Sequence, residues 1–397
     1  MRHRIVIIGG GTAGITVAAR LRNAGEDDVA LIEPADTHYY QPLWTLVGGG
    51  VVKATDSARR MSDVMPRGVR WVQERAAEID PEAQRITLGS GNTVDYEYLV
   101  VAPGLQLDFD DVVGLEATLG RNGVSTNYRY DLAPVMWEFL RSMRGGRAIF
   151  TMPTGAIKCG GAPQKIAYLA ADQWRAAGVL DDIQITLALP TPALFGIPAF
   201  ARTLEQVVER YGIDVRLEHE LISVDGENKR ATFVDRSGGK EHKTELAYDV
   251  MHVTPPQSAP DWLKATPLSD STPGGYVDID KHTLQHVRHP NVFALGDAGN
   301  SPNSKTGAAV RKQAPVVVDN LLAVARGAQP LASYDGYSSC PIVTAQNRML
   351  LAEFDYDLRH TPSIPGIDLT KERYDMWLLK RYGLPALYWN LMLRGRA

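Results

Sequence analysis

The feature that most limits what this chain can fold into is Arg4-Ile-Val-Ile-Ile8 running directly into Gly9-Gly-Gly-Thr-Ala-Gly14. The apolar run reads as a short buried strand and the stretch through Leu21 as a helix, so the glycines fall on the turn between them. Val29 to Ile32 reads as the next strand and ends at Glu33, nineteen residues beyond Gly14. In that strand–helix–strand setting Gly9, Gly11 and Gly14 form a GxGxxG fingerprint. The glycines allow a tight turn and let a pyrophosphate approach the helix N-terminus. Glu33 would accept hydrogen bonds from the ribose hydroxyls. Gly9, Gly11, Thr12, Gly14 and Glu33 are therefore candidate contacts to a dinucleotide, and the fold class is α/β.

A second nucleotide-type unit is predicted from about Arg147, without its fingerprint. The strand Ala148 to Met152 leads into Pro153-Thr-Gly-Ala-Ile-Lys-Cys-Gly-Gly161, which lacks the GxGxxG spacing, and a helical pattern from Pro163 to Ala177 follows. The next strand, Ile183 to Leu189, ends in Pro190-Thr-Pro192, with no acid or arginine placed for a nicotinamide ribose or its 2′-phosphate. A Rossmann-like half whose nicotinamide site is degenerate is the expectation, and NADH or NADPH is not expected as electron donor. With 397 residues there is room for two to three domains. The expected division is 1–110 with 265–330 as a first domain, 111–264 as the second, and 331–397 as a C-terminal region.

Only two cysteines occur, Cys159 and Cys340. Cys159 sits in a glycine loop ahead of a helix that Pro163 suits as a first-turn residue, so it should face the positive end of the helix dipole. Lys158 adds charge, and both effects favour a thiolate or persulfide anion. Cys340 lies in Tyr337-Ser-Ser-Cys-Pro-Ile342, which reads as a loop extended by the following proline. The alternatives are two inert buried cysteines, or a structural disulfide in a chain that shows no secretory signal.

Tyr98-Leu-Val-Val-Ala-Pro-Gly104 and Asn291-Val-Phe-Ala-Leu-Gly-Asp297 both resemble signatures of the flavoproteins built on two dinucleotide domains. That resemblance implies FAD at the first fingerprint, with Gly104 at a turn beside it and Asp297 on the ribityl chain. It also implies that the helix after Lys305-Thr-Gly307 is aimed at the flavin pyrimidine ring. Four stretches narrow the family: His38-Tyr-Tyr-Gln-Pro-Leu-Trp-Thr-Leu46, Ile157-Lys-Cys-Gly-Gly-Ala-Pro-Gln-Lys165, Asn303-Ser-Lys-Thr-Gly307 and Tyr337-Ser-Ser-Cys-Pro-Ile-Val343. With them the chain resembles the membrane-associated sulfide:quinone oxidoreductases, in the branch that includes the mitochondrial enzymes. The resemblance implies that Cys159 and Cys340 are the redox pair that carries sulfur beside the flavin, and that Gln41 and Ala76 touch FAD. Within that reading Lys305 is expected to balance charge on reduced flavin, and a quinone pocket is expected from C-terminal residues such as Phe354 and Tyr356. Without the third cysteine of some branches, FAD is expected to be noncovalent. Hydrogen sulfide, a membrane quinone and a small sulfur acceptor are the implied partners. The competing readings are a flavin subunit of a sulfide dehydrogenase that donates to a cytochrome, an NADH:quinone oxidoreductase, and a flavin-bound redox sensor that turns over little.

The segment Met376 to Arg396 is rich in Trp, Tyr and Leu, with Lys380, Arg381, Arg394 and Arg396 among them. Rings and cations beside an apolar face are what a helix at a lipid surface requires. A tail packed on the protein's own core, or on a second copy in a homo-oligomer, would show the same composition. No apolar stretch reaches the roughly 18 residues needed to span a bilayer. With no hydrophobic signal region after Met1-Arg-His-Arg4, the expectation is a peripheral, monotopic protein on the cytoplasmic face of the membrane. A net charge of −4 offers no support for nucleic-acid binding. His282, His286 and His289 have helical spacing but fall in a turn and strand leading to Pro290, so no metal site is expected.

Overall fold

The computed structural model describes residues 1–397. Its first sheet begins with the strand Arg2–Ile8, flanked in parallel by Val29–Ile32 and Thr93–Val101. Arg70–Val72 extends the sheet beyond Val29–Ile32. On the other side Thr93–Val101 serves two partners. Its first half pairs antiparallel with Arg85–Leu88, which continues to Ala76–Asp80, and its last residues pair parallel with Val292–Ala294. The central strands are flanked on both edges and covered on both faces, which is why Ile5, Val6, Ile7, Leu99 and Val100 read as unbroken apolar runs and are fully buried. The fingerprint helix Thr12–Asn23 covers the sheet, packed beside the long helix Gly307–Ala325.

The second sheet is five parallel strands in the order Val124–Ser125, Val250–His252, Gly146–Thr151, Ile183–Ala188, Asp214–Arg216. Parallel pairing requires a crossover, and the helix Ala162–Ala176 supplies it between Gly146–Thr151 and Ile183–Ala188. A three-stranded antiparallel sheet, His219–Asp225, Arg230–Asp235 and His242–Ala247, lies before the return to Val250.

The hairpin Ser338–Ala345 with Arg348–Phe354 lays its apolar residues Cys340, Ile342, Leu350 and Ala352 into the core of the second sheet. Cys340 is therefore a strand residue, 1% exposed, where a loop was expected. A two-stranded hairpin has a free side along which a proline's missing N–H removes no ladder bond, so Pro341 does not forbid the strand.

The C-terminal segment forms the short helices Tyr374–Leu378 and Leu384–Asn390 around a π-turn at Leu379–Gly383. Met376, Trp377, Tyr388, Trp389, Met392 and Leu393 are buried in the core of the first sheet. The expectation that this segment's rings settle at lipid headgroups is thus corrected for Trp377, Tyr388 and Trp389, which pack on the chain itself. No helix is long and apolar enough to cross a membrane.

Candidate redox site

The fingerprint turn is held by contacts that only glycine permits. Gly9 has φ +99° and a Cβ there would lie 2.2 Å from the Ala102 carbonyl oxygen, while one on Gly14 would lie 1.8 Å from that of Gly9. Gly11, Gly104 and Gly307 are different, because a Cβ on any of them would meet no protein atom within 4 Å. These three glycines border open space, as a cradle for a ligand requires. Gly11 caps the fingerprint helix, and Gly307 opens its own helix after Thr306, whose hydroxyl accepts from the Ala309 N–H. Both helix starts offer unpaired N–H groups and a positive dipole end. Glu33 closes the turn by accepting from the N–H of Gly10 at 2.7 Å and of Ala35 at 2.7 Å. The Asp297 carboxylate has no hydrogen bond from the protein, and burial raises its pKa against the pull of Lys305 and Lys158. Open glycines, two helix N-termini and an unpartnered carboxylate together fit a flavin nucleotide. Ala76 is buried in the strand that pairs with Leu88.

Cys159 stands where two of these elements meet. It takes φ +57°, rare for a non-glycine residue, and its N–H donates to the Lys305 carbonyl at 2.9 Å. Its own carbonyl accepts from the Ala162 N–H at 2.8 Å, so the left-handed turn delivers the thiol to the start of the helix Ala162–Ala176. Cys340 reaches it from the hairpin, with the two sulfurs 3.6 Å apart and both cysteines free.

The cation beside the thiol is Lys165, whose Nζ donates to Cys159 Sγ at 3.0 Å. Lys158, expected in that role, turns instead to Gln41, donating to its Oε1 at 2.8 Å. Side chains of adjacent residues diverge on an extended or turning backbone, whereas Lys165 lies one turn into the helix that Cys159 faces. Lys380 adds charge from the C-terminal segment, its Nζ donating to the Pro42 carbonyl at 2.9 Å. The Cys340 thiol donates to Cys159, and with Lys165 and Lys380 this holds Cys159 well below the ordinary thiol pKa despite burial. Cys340 is pushed well above it by the same hydrogen bond, by burial and by the neighbouring negative charge. The surroundings thus favour the anion on Cys159 and the neutral thiol on Cys340.

Around it, burial lowers Lys158 to about 8 and Lys305 to about 8, each opposed by Asp297, and Lys380 to about 7, with Lys165 as its like-charged neighbour. Lys305 is enclosed: its ammonium donates to the carbonyls of Asp297 and Gly299 at 2.8 Å each and lies 3.8 Å from the Tyr276 ring centroid. Gln41, Lys158, Cys159, Asp297 and Lys305 are brought together, and Lys165 and Lys380 join them unforeseen. Phe354 and Tyr356 are taken up elsewhere. Phe354 packs in the second core with its ring centroid 6.1 Å from that of Phe195, and the Tyr356 hydroxyl donates to the Lys281 carbonyl while its ring covers Gly336. The imidazoles of His286 and His282 approach the Leu268 and Tyr334 carbonyls, respectively.

Residues 3–135 match the pyridine nucleotide-disulphide oxidoreductase family. The mitochondrial sulfide:quinone oxidoreductase of Dictyostelium discoideum is 41% identical over 99% of this chain and 86% of its own, and that of Mus musculus 40% identical over 99% and 87%. Among solved structures, the sulfide:quinone oxidoreductase of Aquifex aeolicus superposes with a TM-score of 0.83 over 99% of this chain and 91% of its own, at 20% identity, which speaks to the fold. Full-length identity of this order, in a fold that brings the two cysteines together beside a dinucleotide cradle, shows that the chain belongs to the sulfide:quinone oxidoreductase family.

Proposed function

We propose that this chain oxidises hydrogen sulfide to sulfane sulfur at Cys159 and Cys340 and passes the electrons through FAD to a membrane quinone. The observation that carries the reading is the asymmetric pair: sulfurs 3.6 Å apart, with one stabilised as an anion by an ammonium 3.0 Å away. Inert core cysteines would not draw two buried lysines. With both cysteines in the pair and no third in the chain, nothing remains to attach a flavin through sulfur, which supports noncovalent FAD.

In the resting enzyme the pair is bridged. The separation exceeds one S–S bond of about 2.05 Å and is less than two laid end to end, about 4.1 Å, so either closure to a disulfide or one interposed sulfur needs only a small movement. Hydrosulfide attacks the Cys340 sulfur: a new S–S bond forms, the bridge breaks, and Cys340 carries a persulfide. The leaving sulfur is Cys159, the better leaving group because its pKa is depressed. Lys165 receives that thiolate, so no proton need arrive during the step. A small nucleophilic acceptor then removes the outer sulfur from Cys340. Re-forming the bridge releases two electrons, for which FAD, when bound, would be the two-electron sink on the way to quinone. Gln41 and Lys158 would face that cofactor beside Asp297, with Gly11, Thr12 and Glu33 at its adenosine end. Cys159 keeps its place throughout because its N–H is anchored on Lys305, whose own ammonium is fixed by two carbonyls.

We place the protein peripherally on a membrane through the part of the C-terminal segment that remains outside. Tyr374, Leu378, Tyr382 and Leu391 are exposed large side chains there, near Arg381 and the exposed Arg394. A lipophilic acceptor has to be taken from the bilayer, and such a face meets it. Sulfide-dependent reduction of a soluble quinone analogue by the purified protein tests the sulfide-to-quinone reading. No reduction by a flavin-loaded preparation would overturn it.

A further inference from the structure

The C-terminal segment returns to the fingerprint loop, 376 residues away in sequence, and binds it with hydrogen bonds. The Tyr388 hydroxyl lies 2.9 Å from Thr12 Oγ1 and 2.6 Å from His38 Nε2, and His38 Nδ1 lies 2.9 Å from the Gly10 carbonyl oxygen. His38 is buried and neutral, since burial lowers its pKa to about 4. A carbonyl only accepts, so Nδ1 carries the proton and donates to Gly10. Nε2 then accepts from the Tyr388 O–H, which leaves the Tyr388 oxygen to accept from the Thr12 O–H. The proton order along Thr12, Tyr388, His38 and Gly10 is fully determined. Tyr388 is held in turn by the Tyr40 ring, 4.2 Å between centroids, and its neighbour Trp389 by the Arg59 guanidinium at 4.3 Å. Further along, Asn23 at the end of the fingerprint helix donates to the Arg394 carbonyl at 2.9 Å and Arg20 donates to Ala397.

We propose that the C-terminal segment is a clamp on the dinucleotide loop: through Tyr388 and His38 it positions Thr12 and the Gly10 carbonyl, so docking of the segment and binding of FAD reinforce each other. Gly10 and Thr12 flank Gly11, the open glycine of the cradle, so the two residues that the clamp holds are those whose main chain must stay in place for a pyrophosphate to be received. Tyr388 and His38 are positioning residues, since neither is one of the glycines or helix-terminal groups that would contact the ligand. Coupling of this kind is reciprocal, because whatever the clamp adds to FAD affinity FAD must add to the docking of the clamp.

The test uses the full-length holoprotein. Tyr388→Phe keeps the ring and removes the hydroxyl, and FAD release, followed by flavin fluorescence after dilution, should be about tenfold faster, as the loss of one or two buried hydrogen bonds implies. His38→Phe combined with Tyr388→Phe should cost less than the two single losses together, because both break the Tyr388–His38 bond, whereas general loosening would add. Independently of any variant, backbone amides from Leu384 to Arg394 should exchange with deuterium at least tenfold faster in the flavin-stripped wild type than in the holoprotein. FAD release unchanged in Tyr388→Phe, additive losses in the double variant, or equal exchange with and without FAD would each overturn the clamp. The inference rests on the fingerprint being a flavin site. A purified chain that carries no flavin would sink both, while unchanged FAD release sinks the clamp alone.

Discussion

Lys165 Nζ lies 3.0 Å from Cys159 Sγ, while Lys158, the residue next to that cysteine, reaches away to Gln41. The pair is joined across six residues by a left-handed turn at Cys159 and the first turn of the helix that begins at Ala162.

Replacing Lys165 by Met, similar in length and uncharged, should raise the Cys159 pKa. The sign follows from the depressed value: the folded-state thiol ionises below its ordinary range, so the thiolate persists to lower pH than in a free thiol and is lost as the pH drops through the folded value. Alkylation of the reduced enzyme by iodoacetamide at varied pH should show a midpoint shifted upward by at least about one unit, corresponding to about 1.4 kcal/mol of lost anion stabilisation. A midpoint that stays put would remove Lys165 from its role.

Cys159→Ser and Cys340→Ser should each keep FAD and lose sulfide oxidation by several orders of magnitude, since each cysteine performs a separate bond exchange. They should differ in a second respect. In Cys340→Ser the serine hydroxyl can still donate to Cys159 and Lys165 stays beside it, so a broad long-wavelength absorbance from a sulfur anion beside oxidised flavin should survive there and vanish in Cys159→Ser. The reverse pattern would exchange the two roles.

Millimolar NADH should bleach the flavin no faster than buffer does. The strand Gly146–Thr151 leads into a ten-residue loop occupied by Cys159 instead of a glycine fingerprint, and the following strand, Ile183–Ala188, runs on into Leu189-Pro190 without a ribose ligand. Rapid bleaching would move the chain toward NADH:quinone chemistry.

The parts of the fold readable in the sequence are those set by local constraint. Gly9 and Gly14 are glycines because a carbonyl oxygen occupies the space of their Cβ, and Val29–Ile32 is a strand because it is apolar on both faces. The charge environment of Cys159 was not readable, because Lys380 comes from the far end of the chain and adjacency favoured Lys158. The C-terminal segment misleads for a different reason: rings that face lipid and rings that face a core have the same composition, and only the position of the first sheet's surface distinguishes them. Trp389 and Tyr382 look alike in the sequence, yet one is buried and the other 61% exposed.

That division decides how membrane attachment has to be tested. Truncation at Tyr374 would strip Trp377, Tyr388 and Trp389 from the first core, at roughly 1.5–3 kcal/mol for each buried large side chain, and should lower Tm and release FAD whatever the membrane does. The informative change is confined to the exposed face: Leu378→Glu, Tyr382→Glu and Leu391→Glu combined, which leave the buried rings in place. Anionic liposomes should retain the wild type and release the triple variant, with Tm within a few degrees of wild type and sulfide still reducing the flavin at the wild-type rate. Turnover with a bilayer-dissolved quinone should drop at least tenfold while turnover with a soluble analogue holds. If the triple variant stays on liposomes as firmly as the wild type, this face is not the membrane contact.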